Sequence, residues 1–328
     1  MIVIITLKEK VLNILEENRN SYISGEYIAK TADVSRASVW KAINSLKESG
    51  IEIDAVTNKG YCLSSDYDFL SLSGIKSAIN CLDFKIEPEL LKSVESTNKT
   101  ARERAQSGVK EGYTVISSQQ TGGHGRFGRH FYSPENCGIY MSIVLRPKIS
   151  AADSVFITTA AAVAVCEAIE SVSGKNARIK WVNDVLVDSK KVCGILTEAA
   201  FNIESGLLDY AILGIGINAY EPKDGFADEI KNVAGAVFSK ADGGAMDRLT
   251  GEVLNNFFKY YKNLKSTEFL EAYRSHCIIP KNSITVISNG KKRSAYIIGV
   301  DDDFRLHVRY TDGTEEHLNS GEISTKLN

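Results

Sequence analysis

The first 64 residues carry the pattern that most restricts how this chain can fold. Thr6 and Glu9 form a capping-box pair before one helical run, and Ser24 and Ser35 are N-cap residues before two more. The next segment alternates apolar and polar residues around 58–60, an Asn-Lys-Gly sequence typical of a hairpin turn. Three helices followed by a hairpin predict a winged helix-turn-helix.

A winged helix places its third helix in the major groove of DNA and its wing near a phosphate. Here we expect that helix to begin after Ser35 and to end at Gly50. The predicted DNA contacts are Ser35, Arg36, Ser38, Lys41, Asn44 and Lys59. Residues 1–64 carry eight Lys/Arg and eight Asp/Glu, and a neutral domain gains little from counterion release. A role in protein contacts or dimerisation therefore stays open.

The rest of the chain alternates strands and helices from about residue 70, which predicts an α+β fold with a mixed, mostly antiparallel sheet. An alanine-rich buried helix is expected over 154–171. Short alternating strands at the end of the chain, with turns at Asn289-Gly290 and Asp312-Gly313, predict a small SH3-like β-barrel. The predicted domains are 1–64, 65–273 and 274–328, of which the second is the catalytic domain.

The composition is that of a globular protein, with 43% hydrophobic and 24% charged residues and a net charge of −2. No overall basic field points to nucleic acid. The first residues are apolar, but the run is too short for a signal segment, so no membrane association is expected. The six cysteines form no C-x-x-C pair, and the five histidines form no H-E-x-x-H motif. These patterns predict a protein of the reducing cytoplasm without disulfides or a zinc site.

The segment 120–129, QTGGHGRFGR, concentrates four glycines beside one histidine and two arginines. Glycine lets another molecule approach the backbone closely, and exposed N–H groups with guanidinium groups bind phosphate or carboxylate. The segment therefore predicts an anion-binding loop. A solvated surface loop is the alternative interpretation.

Four further polar clusters stand at the ends of predicted strands: ESTN (95–98), KWVND (180–184), KKVCGIL (190–196) and GIGIN (214–218). Each also has a simpler interpretation, as a helix cap, a turn or a lysine that reaches water. The glycines of GIGIN do not form a dinucleotide fingerprint, because Pro222 follows where that motif needs a helix. No P-loop motif is present.

Together the clusters suit the activation of a carboxylic acid by ATP. Cations must hold the acid and the α-phosphate together, and Arg126, Arg129 and Lys191 are candidates. Magnesium must neutralise the leaving pyrophosphate, for which Asn183 and Asp184 offer oxygen atoms. A glycine-rich loop that closes over the product can keep the reactive anhydride from water.

In their order and approximate spacing, these five stretches resemble those of bifunctional biotin–protein ligases, also called biotin operon repressors. The winged helix with its GYCL exit and the β-rich tail match as well, so the resemblance covers essentially the whole chain. It implies that biotin and ATP with Mg²⁺ give biotinyl-5′-AMP and that biotin passes to a lysine of a biotin carboxyl carrier domain. It also implies that the adenylate-loaded homodimer binds operator DNA, and that no prosthetic group is tightly bound.

The resemblance also assigns residues. The implied catalytic residues are Lys191, Arg126 and Asp184, of which Asp184 would also bind Mg²⁺. The implied biotin-binding residues are Ser96, Thr97, Asn98, Gln120, Gly123, His124, Gly125, Arg126, Lys191 and Gly194. The implied ATP and adenylate contacts are Arg126, Arg129, Phe131, Asn183, Lys191 and Asn218.

Three positions depart from the family pattern. His124 replaces the usual arginine or lysine, which predicts a more pH-dependent contact. Val182 replaces a common proline, and Phe131 replaces a tryptophan that stacks near adenine in some relatives.

Two alternative functions stay open. A transcription factor that only senses a small molecule would not need Lys191, Asp184 and Arg126 together. A lipoate ligase on the same fold is disfavoured by the separate repressor domain and by the biotin-type loop.

Overall fold

The computed structural model describes residues 6–48, 51–64, 67–202, 204, 206–264, 266–288, 291–319 and 322–324. Two sequence predictions, the helix end at Gly50 and the turn at Asn289-Gly290, lie outside the described residues.

The N-terminal region is a winged helix, as predicted. Its elements are α1 (Leu7–Glu17), α2 (Gly25–Ala32), α3 (Arg36–Glu48), β1 (Ile53–Val56) and β2 (Gly60–Leu63), and the two strands pair antiparallel. The predicted caps are present: Thr6 and Glu9 bond reciprocally, and Ser24 and Ser35 accept from backbone N–H groups three residues on. The three helices and the hairpin share a hydrophobic cluster of their own. Local sequence signals therefore predicted the three helices, the hairpin and the caps of this region.

A seven-stranded sheet forms the centre of the molecule, in the order β3-β4-β5-β9-β8-β7-β6. Its strands are β3 (Glu87–Leu91), β4 (Tyr113–Ser117), β5 (Gly138–Leu145), β6 (Ala177–Lys180), β7 (Asp184–Val187), β8 (Lys190–Phe201) and β9 (Leu208–Asn218). The β3–β4 pair is parallel and the other five pairs are antiparallel. The mixed, mostly antiparallel sheet is therefore confirmed.

Five helices accompany this sheet: α4 (Leu72–Ala78), α5 (Thr97–Gln106), α6 (Val155–Ser173), α7 (Ala245–Tyr261) and α8 (Thr267–His276). The predicted buried helix is α6, most of whose side chains lie in the core. Within the described ranges, Ala152–Ser173 is the one helix long and apolar enough to cross a membrane, and 61% of its most apolar window is buried in the protein. Helices α7 and α8 were not predicted from the sequence. The predicted domain boundary at 273 falls inside α8, and the domain division stays a prediction.

The C-terminal strands form a five-stranded antiparallel sheet in the order β13-β12-β11-β10-β14, consistent with the predicted SH3-like fold. They are β10 (Ile284–Ser288), β11 (Lys291–Val300), β12 (Leu306–Tyr310), β13 (Glu315–Leu318) and β14 (Glu322–Ser324). The turn at Asp312-Gly313 is present, with Gly313 at a φ of 86°. The Trp181 indole donates 2.8 Å to the Phe304 carbonyl, which ties this sheet to the end of β6.

Two buried aspartate side chains join the segment after the winged helix to the N-terminus of α7. Asp68 accepts from the backbone N–H groups of Gly244 and Met246, each at 2.9 Å. Asp247 accepts from the backbone N–H of Ser71 at 2.9 Å and from its hydroxyl at 2.7 Å. These polar contacts tie the segment that follows the winged helix to the central core, and no sequence pattern predicted them.

Candidate active site

A cavity of about 490 Å³ lies over strands β8 and β9, beneath the glycine-rich segment and beside the N-terminus of α5. All five stretches singled out in the sequence contribute to it. The predicted residues that line it are Ser96, Thr97, Asn98, Gln120, His124, Gly125, Arg126, Arg129, Phe131, Asn183, Asp184, Lys191 and Gly194. Segments that run from Ser96 to Gly216 in the chain therefore meet at one place.

The cations of the cavity are held by partners on a neighbouring turn. Lys191 Nζ, near the start of β8, lies 2.6 Å from Asp184 Oδ1, at the start of β7. Arg126 donates from NH1 to Asn183 Oδ1 at 3.1 Å. The KWVND turn thus contacts both the strand lysine and the glycine-rich loop. These two contacts fix the positions of the Lys191 and Arg126 charges, and both side chains still line the cavity.

Backbone hydrogen bonds order the glycine-rich segment. All three acceptors are backbone carbonyls. The Gly122 N–H donates to that of Glu95 at 2.8 Å, the Gly125 N–H to that of Arg129 at 2.8 Å, and the Phe131 N–H to that of Gly123 at 2.9 Å. A single 3₁₀ turn, Arg126–Gly128, forms the tip of the segment. The segment is therefore a folded-over flap that lines the cavity.

A second group of lining residues, at the N-terminus of α5 and on the glycine-rich segment, presents hydroxyl and amide groups. Ser96 occupies the N-cap position of α5, but its side chain makes no capping hydrogen bond. Ser96 therefore takes the N-cap position that the simpler interpretation of ESTN gave it, but its hydroxyl does not cap the helix. Thr97 N–H and Oγ1 lie 2.9 and 3.1 Å from Gln120 Oε1. Ser96, Thr97 and Asn98 are all nearly buried.

Close approach of two side chains explains the glycines of GIGIN. A Cβ at Gly214 would lie 2.2 Å from Asn98 Oδ1, and one at Gly216 would lie 2.6 Å from the Phe131 ring. Both glycines also line the cavity. The sequence predicted no dinucleotide fingerprint at these glycines. The structure agrees, because β9 ends at Asn218 and no helix directly follows it.

Two predicted residues do not line the cavity. Gly123 is buried beside Ser133 and Gln120, and Asn218 donates from Nδ2 to the Gly235 carbonyl at 3.0 Å. Three lining residues lie outside every stretch singled out in the sequence and were not predicted: His130, Val233 and Ile287. No local sequence signal identifies Val233 and Ile287, because they reach the site only through tertiary packing.

The donor set suits a metal ion that a nucleotide brings with it. Asp184 is the one carboxylate among the residues that line the cavity. In the described part of the chain, no group of three His, Cys, Asp or Glu side chains could hold a metal ion. Magnesium at nucleotide sites commonly uses one or two carboxylates, with phosphates and waters as its other ligands. The residues present therefore fit Mg²⁺ held chiefly by phosphate groups.

The predicted DNA-contact residues lie at the start of α3, along this helix and in the turn of the hairpin, and none of them is buried. Arg36, Lys41 and Lys59 are exposed, and Ser38 and Asn44 are half-buried. A cleft between α3 and the wing is lined by Arg36, Lys59 and the 58%-exposed Trp40. Trp40 was not predicted as part of this surface. Its position one turn after Arg36 could have indicated it.

Comparisons with known proteins agree with this geometry. Residues 90–218 match the Biotin/lipoate A/B protein ligase family, and residues 8–62 match an HTH domain. "Bifunctional ligase/repressor BirA" of Bacillus subtilis is 36% identical over 273 residues, which cover 80% of this chain and 81% of that protein. The Bacillus spizizenii protein of the same name gives the same values. A solved structure, "Biotin protein ligase from Aquifex aeolicus in complex with biotin and ATP", superposes with a TM-score of 0.60 at 26% identity, covering 74% of this chain and 98% of that one.

The fold and the cavity define the catalytic region as a protein ligase of the biotin/lipoate class. A winged helix precedes this region, and the identity to the Bacillus proteins extends over most of both chains. The chain belongs to the bifunctional ligase/repressor family.

Proposed function

We propose that this protein is an ATP-dependent biotin–protein ligase and a DNA-binding repressor of biotin genes. The observation that carries the ligase proposal is that Lys191, Arg126 and Asp184 line the same cavity as Thr97 and Gln120. The first set suits a carboxylate and a phosphate, and the second suits a polar ring system.

In the first step, a biotin carboxylate oxygen attacks the α-phosphorus of ATP. A phosphorus–oxygen bond forms, the bond to the β-phosphate breaks, and pyrophosphate leaves with its electron pair. Lys191 bridges the carboxylate and the α-phosphate, whose mutual repulsion it offsets. Asp184 and Asn183 hold Lys191 and Arg126 in place before the substrates arrive. When bound, Mg²⁺ neutralises charge on the phosphates, and Asp184 is the residue that would contact it.

In the second step, a lysine amine of the carrier domain attacks the acyl carbon of biotinyl-5′-AMP. The carbon–nitrogen bond forms, AMP leaves as the carbon–oxygen bond breaks, and the amine loses a proton to solvent or to phosphate. Arg126 and the flap around Gly125 cover the adenylate until the amine arrives, which limits hydrolysis. Phe131 packs on Gly216 and offers the face for adenine.

The polar end of the cavity favours biotin over lipoate. Ser96, Thr97 and Asn98 are nearly buried, and a ureido ring offers them both donors and an acceptor. A dithiolane ring offers neither, so lipoate would gain fewer hydrogen bonds than biotin from these residues.

The repressor proposal rests on the exposed cations of α3 and the wing, Arg36, Lys41 and Lys59. We infer that the adenylate-loaded protein binds its operator as a homodimer, because one neutral domain gains little affinity alone. We also propose a cytoplasmic location for the protein, because all six of its cysteines are free thiols, as is usual in a reducing compartment.

One assay tests the ligase proposal. The protein is mixed with ATP, Mg²⁺, an apo carrier domain and either biotin or lipoate, and mass spectrometry identifies the acid attached to the carrier lysine. We expect biotin alone to be transferred. Transfer of lipoate, or of neither acid, contradicts the proposal. A footprint upstream of biotin-synthesis genes, with and without biotin and ATP, tests the repressor function in the same preparation.

A further inference from the structure

Glu198, on β8, does not line the cavity but contacts helix α5 beneath it. One carboxylate oxygen accepts from Asn98 Nδ2 at 2.7 Å, and the other accepts from Arg102 NH2 at 2.7 Å. Glu198 is half-buried, and the Asn98 side chain lies between it and the cavity.

The carboxylate determines which way the Asn98 amide points. An ionised carboxylate only accepts hydrogen bonds, so the amide nitrogen of Asn98 must face Glu198. The amide oxygen then faces Ser142, whose hydroxyl oxygen lies 2.6 Å away. Ser142 is fully buried, so water does not offer an alternative partner. Its hydroxyl must donate to Asn98 Oδ1, because two acceptors would otherwise meet.

The orientation is passed on toward the cavity. Ser142 Oγ also lies 2.8 Å from Thr97 Oγ1, and Thr97 in turn contacts Gln120 Oε1. Gln120 donates from Nε2 to Ser133 Oγ at 3.1 Å. Thr97, Asn98 and Gln120 all line the cavity. The Thr97 backbone N–H fixes the Gln120 amide separately, so the carboxylate sets the donors and acceptors of Asn98, Ser142 and the Thr97 hydroxyl.

We propose that Glu198 is a positioning residue for biotin: by fixing the Asn98 amide, it orients the hydroxyl and amide groups that bind the ureido ring. This inference rests on the proposed ligase function. It assigns Glu198 to recognition of biotin and gives it no contact with ATP.

Replacement of Glu198 by glutamine reverses the chain of hydrogen bonds. Arg102 only donates, so the glutamine oxygen must face it and the glutamine nitrogen must face Asn98. The Asn98 amide then turns its oxygen toward position 198 and its nitrogen toward Ser142. The amide can flip but cannot swing aside, because it packs against Gly214. Thr97 and Asn98 exchange donors for acceptors, whereas Gln120 keeps its orientation because its Oε1 accepts from the Thr97 backbone N–H.

The chain offers a matched control on the same helix. Arg104 donates to Glu89 of β3 at 2.9 and 3.1 Å, so Glu89 forms a similar pair between α5 and the sheet. The side chains of Glu89 and Glu198 are 21% and 29% exposed. Neither Glu89 nor Arg104 lines the cavity. Glu89→Gln therefore reproduces the loss of an ion pair without the change at Asn98.

The experiment measures ATP–pyrophosphate exchange as a function of biotin concentration. We expect Glu198→Gln to raise KM for biotin about 10–100-fold, since one or more buried hydrogen bonds are mismatched, while KM for ATP and kcat at saturating biotin stay within about threefold. Glu89→Gln should leave KM for biotin unchanged. A KM for biotin that is unchanged in Glu198→Gln, or raised equally in both variants, overturns the proposal.

A second measurement separates orientation from general loosening. In 2-iminobiotin an imino group replaces the ureido oxygen. The ratio of the dissociation constants for biotin and 2-iminobiotin should move toward 2-iminobiotin in Glu198→Gln, because donors and acceptors are exchanged. A merely structural role would weaken both ligands alike, and an unmoved ratio overturns the proposal.

Two controls keep the outcome interpretable. If Glu198→Gln does not fold by thermal melting, Ser142→Ala interrupts the same chain without changing charge, and it should raise KM for biotin at least about fivefold. An unchanged KM in folded Ser142→Ala overturns the proposal. If the unmodified protein shows no biotin-dependent exchange, the ligase function itself fails, whatever the variants do.

Discussion

The central cavity and the outer face of α3 both present cations, but they hold them differently. In the cavity, Lys191 is paired with Asp184 and Arg126 is bonded to Asn183, so both cations are positioned beforehand. On α3, Arg36 and Lys41 are exposed side chains. Fixed cations lose little entropy on binding and suit a small anion with one geometry. Exposed cations adapt to a continuous phosphate backbone, at an entropic cost.

The largest effect should follow from removal of the paired lysine. Lys191→Ala should slow biotin-dependent ATP–pyrophosphate exchange by about 10²–10³-fold or more, because the repulsion between carboxylate and phosphate is no longer offset. Lys262→Ala is the control, since Lys262 pairs with Asp83 on the surface at 2.5 Å. Thermal melting should show both variants folded. Exchange that survives in folded Lys191→Ala removes this residue from the mechanism.

The next effect concerns the flap. Arg126→Ala loses the bond to Asn183 and a charge beside the adenylate, so we expect biotinyl-5′-AMP to escape at least about tenfold faster. Quenched samples from a single turnover, in which free and bound adenylate are separated, measure this rate. Arg248→Ala, which removes an exposed arginine, should retain the intermediate. Equal retention by both variants would mean that the flap does not depend on Arg126.

The exposed cations should give a smaller effect that depends on salt. Arg36→Ala should weaken operator binding about tenfold and leave adenylate formation unchanged. Binding of DNA by the unmodified protein should fall steeply as salt rises, whereas KM for ATP should change less, because the paired cations are less exposed to screening. Fluorescence anisotropy with labelled operator measures binding, and Lys10→Ala on α1 is the control. If operator binding and KM for ATP changed equally with salt, the cations of α3 and those of the cavity would not differ in their screening.

The smallest effect concerns the contact between the regions. Burial raises the pKa of Asp247 to about 8, against hydrogen bonds from Ser71 that lower it. The folded protein then holds a proton between about pH 4 and pH 8 that the unfolded chain releases, so stability falls as pH rises across this window. Asp247→Asn should flatten this decline, by up to about 1 kcal/mol per pH unit.

Thermal melting at pH 6 and pH 8 measures this difference, with the exposed Asp242→Asn as the control. A pH dependence that persists in Asp247→Asn would show that another group, such as the buried Asp68, is responsible.

The two regions also differ in how far their sequences predict them. The winged helix follows from local signals: caps at Thr6, Ser24 and Ser35 and a turn with Gly60 at a φ of 110°. In the central region the strands were predicted from alternation, whereas α7 was missed, although the spacing of its apolar residues is a local helix signal. Most of what α7 packs against is distant in the chain, so this signal does not reveal its position in the fold.

Local sequence patterns were enough to identify the groups that the protein offers: the cations of the glycine-rich segment, Lys191, Asp184 and the hydroxyls of ESTN. The tertiary structure decided that these groups meet in one cavity, that the Ser96 hydroxyl is not used as a cap, and that Glu198 orients Asn98. It also decided that Val233 and Ile287 reach the site. Caps and turns depend on neighbours in the chain, whereas a cavity and the direction of its hydrogen bonds depend on strands paired across long separations, which no local pattern encodes.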